Sequence, residues 1–383
     1  MTKFMGVSFI CFGRAMPPET KRTPRILVVN PFGIGDVIFS MTVAEEIRRA
    51  FPEALIGFVC NERTQGLVRL NTSIDQTYVF NRGRFRRLWA RHPFFFYQKL
   101  KALLASLREA RFETAVDFSL GREYPFFAWW IGIRRRIGFD FKGRGFFLTH
   151  KDKLEGYDDR PVADTQLALL GYLGIRPGQV PSRLPLHVSA AVRNEAAAFL
   201  KKNGFYENDK ILGLAPGGGR SWGSNAYFKQ WDPEKFAAAA NAWNAARGHK
   251  ILLLGDRGES DLLSRTAGLI RAAKAVAAGE ALEKVCGLLL RCQALLCNDG
   301  GLLHLANALG VRTVSLFGPV DEKVYGPYGE GTPHEVLTEP VPCRPCYRRF
   351  HFPPCPYERR CLSLLPQEKV LKALEKIACL SPS

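Results

Sequence analysis

The chain has 383 residues, 46% of them hydrophobic, which is enough for two cores because single domains usually run to roughly 100–200 residues. A formal charge of +18 gives a positive field that attracts phosphates, nucleotides, acidic glycolipids or nucleic acid, and its sign alone does not choose among them. No window approaches the ~20 uninterrupted apolar residues of a membrane-spanning helix; "PFFAWWIGIRRR" and "VCGLLLRCQALLC" are both cut by charge.

Residues 1–24 carry one Lys ahead of a brief apolar patch and end in a Pro-containing basic stretch, so they read as an unstructured extension rather than a secretory signal. From Arg25 onward, short aliphatic runs alternate with longer amphipathic ones, the signature of βαβ units with parallel strands. "RILVVN" (25–30), "ALIGFVC" (54–60), "QTYVF" (76–80), "TAVDFS" (114–119) and "RRRIGFD" (134–140) are predicted strands of one sheet. Helices are predicted between them over Val37 to Phe51 and Tyr97 to Arg111. The second half repeats the scheme with "ILGLAP" (211–216), "KILLLG" (250–255), "ALLCND" (294–299) and "TVSLFG" (313–318), and a last helix is predicted over Gln367 to Ala378. Residues 174–190, "GIRPGQVPSRLPLHVSA", hold three prolines and two glycines and read as the linker. Two doubly wound domains joined there would place both sets of strand C-terminal ends on a shared cleft, where ligands of open α/β sheets bind.

Three loops at predicted strand ends carry the chemistry. "NPFGIGDVIF" offers Gly33 and Gly35 at the first two positions of G-x-G-x-x-G, but the third is Ile38, where helix–strand packing needs Gly or Ala. A dinucleotide-dependent enzyme is therefore a weak reading, kept only by Glu62 after the second strand. Asp36 stands at the start of the first helix, either as an ordinary acid favoured by the helix dipole or as a base within reach of an acceptor hydroxyl. In "APGGGRSWGSNAYFKQW" (215–231), Arg220, Ser221 and Lys229 can hold a leaving diphosphate, unless the stretch is a solvated surface loop. In "CNDGGLLHLANALGVRTVSLFGP" (297–319), Gly300 and Gly301 let backbone approach a ligand at a helix start that favours pyrophosphate. Asp299 and His304 there are candidates to orient that ligand, or else a plain cap and a core histidine.

Taken together, "FGIGDVIFSMTVAEEIRRAFP", "APGGGRSWGSNAYFKQWDPEKFA" and "NDGGLLHLANALGVRTVSLFGPVDEKVYGPYG" resemble glycosyltransferase family 9, the ADP-heptose:lipopolysaccharide heptosyltransferases, and most of all the II and III branch. The likeness runs from about Arg25 to the closing "CLSLLPQEKVLKALEKI". It implies an α/β GT-B fold, two Rossmann-like doubly wound parallel-sheet domains facing an interdomain cleft. The N-terminal domain would bind the acceptor, the C-terminal domain the nucleotide sugar, with inversion at the anomeric carbon and no metal or other cofactor required. The resemblance assigns Asp36 as general base, Lys229 to the donor phosphates, and Asp299, Gly300, Gly301 and His304 to the donor pyrophosphate and nucleoside. This chain departs from the family at Gly300–Gly301, where Ser or Thr with one Gly is common, and at Phe39, where a His is common.

Basic residues mix with aromatics in "NRGRFRRLWARHPFFFYQKLK" (81–101) and "WWIGIRRRIGF" (129–139). That mixture suits an anionic membrane surface and a phosphorylated acidic acceptor, single-stranded nucleic acid, or a solvated face over an aromatic core. With the resemblance, the expected partners are a nucleotide sugar (ADP-heptose), a lipopolysaccharide core acceptor and the inner-membrane surface by peripheral contact at its cytosolic face, and nucleic acid is not expected. Gly33 and Gly35 are expected to give an acceptor sugar clearance, and Arg122, Arg134, Arg135 and Arg136 are the acceptor-phosphate candidates. Cys343, Cys346, Cys355 and Cys361 have C-x2-C-x8-C-x5-C spacing, compatible with structural zinc, an iron–sulfur cluster or reduced thiols. The other six cysteines are scattered and suit reduced thiols of a cytoplasmic protein. The expected division is an extension over 1–24, an acceptor domain over 25–185, a donor domain over 186–345, and a Cys-rich segment with a helix over 346–383. Two alternatives stay open: transfer from another nucleotide sugar to surface polysaccharide, and nucleotide or nucleic-acid binding without catalysis.

Overall fold

The computed structural model describes residues 23–80, 91–178, 181 and 183–379, without the side chains of Pro93 and Arg220. The extension expected over 1–24 thus falls almost wholly outside the described residues, as does the basic stretch 81–90. The first sheet contains β1 (Arg25–Val29), β2 (Leu55–Cys60), β3 (Gln76–Val79), β4 (Thr114–Asp117), β5 (Arg135–Phe141) and β6 (His150–Leu154). The second contains β7 (Ile211–Ala215), β8 (Lys250–Gly255), β9 (Lys274–Ala278), β10 (Ala294–Asn298), β11 (Arg312–Phe317) and β12 (His334–Thr338). Their orders are β3-β2-β1-β4-β5-β6 and β12-β11-β10-β7-β8-β9, one topology used twice, with every strand pair parallel. Each sheet therefore reverses its winding beside its first strand, which is where open α/β sheets bind ligands.

Both sheets are covered on both faces, so their central strands are continuous aliphatic runs such as "ILVV" and "ILGLA" rather than alternating ones. In the first sheet Ile26, Val28, Ile56 and Phe58 point to one face, and Leu27, Val29, Val59 and Ala115 to the other. Helices Pro93–Glu109 and Glu123–Trp130 cover the second of these faces through Leu103, Leu107, Phe127 and Ala128. The first face belongs to a buried cluster that continues into the other half of the chain through Ala215, Leu252, Cys297 and Phe317. On the far face of the second sheet, the closing helix Gln367–Cys379 buries Val370, Leu374 and Ile377 against Leu296, Val314 and Leu316.

The halves meet through helix starts and through the linker. Helix Ile34–Ala50 packs on helix Gly301–Ala308, and helix Gln65–Leu70 on helix Leu282–Leu289. The linker is tied to both sides: His187 N–H donates to Leu70 O and Leu184 N–H to Ala308 O. A second bridge comes from the Cys-rich segment. Arg349 N–H donates to Asp158 Oδ1, and Phe350 sets its ring edge-on against Phe141 and Tyr157, 5.3 Å from each.

Candidate active site

A cavity of about 740 Å³ lies between the two halves. One wall comes from the loop after β1 and the start of helix Ile34–Ala50, and the opposite wall from the loops after β7, β8, β9 and β10. Gly33, Gly35, Asp36, Ser221, Lys229, Asp299, Gly300, Gly301 and His304 all line it. Residues that sequence reasoning had placed in three separate loops thus surround one space.

Asp36 occupies the third residue of its helix, and its Oδ2 accepts from Gly33 N–H at 3.2 Å. Burial raises its pKa above the ordinary 3.8, against the lowering effects of the Gly33 hydrogen bond and the Lys229 charge. Opposite, Lys229 Nζ lies 2.7 Å from Asp299 Oδ2 and 4.7 Å from the centre of the Trp222 ring. Both members of the ion pair are buried, and Asp299 Oδ2 has no other hydrogen-bond partner among the described residues. Asn298 fixes the loops around them, accepting from Trp231 N–H and donating to Pro216 O. Burial holds His304 neutral near pH 7, with its pKa lowered to about 4.

The glycines act mainly by letting the two helix starts approach each other. A β-carbon on Gly35 would fall 2.7 Å from His304 Cδ2, and one on Gly301 would fall 2.8 Å from Ile34 Cβ. Gly35 therefore makes room for His304, and it also lines the cavity. Gly33 and Gly300 do border open space; the nearest atoms to a β-carbon there are 3.5 Å and 3.9 Å away. Phe39, where the family pattern often has His, meets the His304 ring edge-on at 4.7 Å. In the "PGGG" loop, a β-carbon on Gly217 would overlap the Glu259 carboxylate, and Gly219 has φ +83°, a left-handed backbone that favours glycine.

Several lining residues carried no sequence signal. Glu259 accepts from Gly219 N–H and Asp256 N–H, and burial raises its pKa. With Arg257 and residues Gly279–Leu282 it lines the cavity from the loops after β8 and β9. Tyr325 and Tyr347 line the cavity with ring centres 5.8 Å apart, and Tyr347 also contacts the Trp222 ring at 4.9 Å. Tyr325 lies within the stretch 298–329 that carries the family resemblance but was not singled out there; Arg257, Glu259 and Tyr347 belong to no recognisable motif, and β9 itself went unread. Buried Asp117, which ends β4, was likewise missed, and its pKa is pushed up to about 7 by desolvation.

The acceptor-phosphate candidates are not brought to the cavity. Arg134, Arg135 and Arg136 sit at the N-terminal end of β5, whereas Asp36 follows the C-terminal end of parallel β1. The Arg136 guanidinium is engaged by the carbonyls of Phe147, Ile133 and Arg134. Arg122 follows the C-terminal end of β4 and is exposed, on the correct side of the sheet but outside the cavity lining. The Arg220 side chain lies outside the described residues. Cys343, Cys346, Cys355 and Cys361 are free thiols, and among the described residues no three His, Cys, Asp or Glu are grouped to hold a metal ion. Cys361 is buried beside Gly318, and burial pushes its thiol up to about 11, with the Cys346, Cys343 and Cys355 thiols adding to the rise.

Comparison with known proteins agrees with this architecture. Lipooligosaccharide heptosyltransferase 2 of Campylobacter jejuni is 27% identical over 175 residues, 44% of this chain and 52% of that protein, so the chain spans about half the length of that relative. A glycosyltransferase family 9 structure from Veillonella parvula shares the fold, with a TM-score of 0.76 at 24% identity, covering 94% of this chain and 98% of that one. So does ADP-heptose lipopolysaccharide heptosyltransferase II of Escherichia coli, with a TM-score of 0.72 at 19% identity, covering 92% and 98%. Residues 100–351 match the family described as glycosyltransferase family 9 (heptosyltransferase), and the chain belongs to that family.

Proposed function

We propose that the protein is an inverting glycosyltransferase that moves heptose from ADP-heptose to a sugar of a lipopolysaccharide core, without a metal, at the cytosolic face of the inner membrane. The observation that carries this reading is the pairing across one cavity of a half-buried carboxylate, Asp36, with a fixed cation and a helix start, Lys229 and Gly300–Gly301. In this proposal residues 25–185 bind the acceptor and residues 186–345 bind the donor.

Asp36 accepts the proton of the acceptor hydroxyl as that oxygen attacks the anomeric carbon from the face opposite the leaving group. The bond from the anomeric carbon to the diphosphate oxygen breaks, and ADP leaves with the electron pair. Its growing charge meets Lys229, the Ser221 hydroxyl and the N–H groups at the start of helix Gly301–Ala308, groups already oriented before reaction. The raised pKa of Asp36 favours its role, because a stronger base removes a hydroxyl proton more readily. The nucleoside lies toward Arg257, Glu259 and Gly279–Leu282, on the wall of the cavity that the second half contributes.

A panel of ADP-, UDP- and GDP-linked sugars offered with defined, lipid-free core oligosaccharides tests the assignment. Heptosyl product from ADP-heptose alone is expected. Efficient transfer from a UDP- or GDP-sugar, with none from ADP-heptose, would move the protein to another reaction of the family.

A further inference from the structure

Six Phe and Trp side chains are exposed among the described residues, and all six lie in the first half of the chain: Phe32, Phe94, Phe95, Trp129, Trp130 and Phe146. Phe32 stands near the cavity rim; the other five belong to the outer layer of the first sheet. Phe94 and Phe95 open helix Pro93–Glu109, together with Tyr97. Trp129 and Trp130 close helix Glu123–Trp130, and Phe146 sits on the turn Gly145–Phe147. These side chains and Tyr97 are 52–80% exposed.

This layer covers the sheet face that points away from the second half, so no part of the described chain caps it. Its inner side is fully used: Leu100, Leu103 and Leu107 of one helix and Phe127 and Ala128 of the other pack on the sheet. The rings outside are thus surplus to folding. At one end they form a continuous surface, with Phe146 against Phe147 at 5.1 Å, Phe147 against Trp129 at 5.6 Å, and Trp129 and Trp130 both on Phe126. Exposed Lys99, Lys101, Arg134, Arg135 and Arg144 are interleaved with the rings. Residues 91–147 hold eleven Arg and Lys against five Asp and Glu.

We propose that this outer face, made by helices Pro93–Glu109 and Glu123–Trp130 and the turn Gly145–Phe147, is the surface by which the protein lies on an anionic lipid bilayer. The proposal refines the peripheral membrane contact in the functional reading above and rests on that reading for its choice of partner. Three features favour a bilayer over a protein partner. The rings are spread along two helices and a turn instead of lining a groove, Trp and Tyr suit the headgroup boundary where one end of the ring is wet, and the surrounding cations match anionic headgroups over a broad plane. A protein lying this way keeps its second half, and the donor side of the cavity, away from the lipid.

Flotation with phosphatidylglycerol-containing vesicles tests this, alongside neutral phosphatidylcholine vesicles. The wild-type protein is expected to float with the anionic vesicles, and its tryptophan emission to be quenched by brominated acyl chains. The Trp129→Ser/Trp130→Ser/Phe146→Ser variant is expected to lose at least about tenfold in bound fraction and most of that quenching. It should retain ADP binding and its rate on lipid-free acceptor, readouts that separate failure of the surface from failure of the transferase reading. Flotation unchanged by the substitutions would overturn the proposal. So would absence of wild-type flotation, including the case where wild-type protein sediments as a dimer that the substitutions dissociate, since the face would then join copies of the chain.

Discussion

Lys229 and Asp299 show how far a single residue pair is committed. Each is buried, and each neutralises the other at 2.7 Å. Removing one partner leaves an uncompensated buried charge, which typically costs about 3–5 kcal/mol. Lys229→Ala is therefore expected to destabilise strongly, and Lys229→Met with Asp299→Asn to recover most of the loss in denaturant unfolding without recovering donor affinity. Recovery of both would remove Lys229 from the donor site. Asp117 gives a pH signature. Its pKa is about 7 in the fold against an ordinary 3.8, so the folded state holds a proton there that the unfolded state has released. The resulting cost is absent below about pH 4, grows as pH rises and is complete above pH 7. The stability of Asp117→Asn relative to wild type should accordingly rise from pH 5 to pH 8, a trend that thermal unfolding in matched buffers can read. A flat difference would show that Asp117 is not desolvated.

At the scale of elements, the meeting of helix starts Ile34–Ala50 and Gly301–Ala308 defines the cleft, and glycine decides how close they come. Gly35→Ala drives a methyl group into the buried His304 ring and is expected to cost about 1–3 kcal/mol. Gly33→Ala, with 3.5 Å to the nearest atom, should fold with less than half that penalty. Equal penalties in urea unfolding would contradict the packing described. The sequence showed both glycines but not which one touches His304, because that contact crosses some 270 positions of chain. Strands divide the same way. The central strands were legible as aliphatic runs, since burial on both faces leaves no polar alternation. Edge strands β6, β9 and β12 were not: "HKDKL" alternates exposed charge with partial burial, and its neighbours supply the pairing that its composition does not advertise. The arginines at the start of β5 were visible as charge, but a strand's direction decides which end of the sheet they occupy.

For the whole molecule, the inner faces of the two sheets share one buried cluster and the cavity takes residues from both halves. A single cooperative thermal transition is expected, raised by ADP, with about 2.7 kcal/mol of stabilisation at a hundredfold excess over Kd. Two separate transitions, only one of them responding to ADP, would mean that the halves fold independently and that the nucleotide touches one alone. The repeated βαβ architecture and the three loops were legible because strand-end glycines and charges are local signals. Tyr347 and Glu259 were not, since they reach the cavity only through tertiary packing. The central claim is that Asp36 removes the acceptor proton, and the most direct measurement is the turnover of Asp36→Asn beside its ADP affinity, with ADP-heptose and core acceptor. The variant is expected to fold, to bind ADP as wild type does and to lose transfer by at least about a hundredfold; turnover within a few fold of wild type would contradict the assignment.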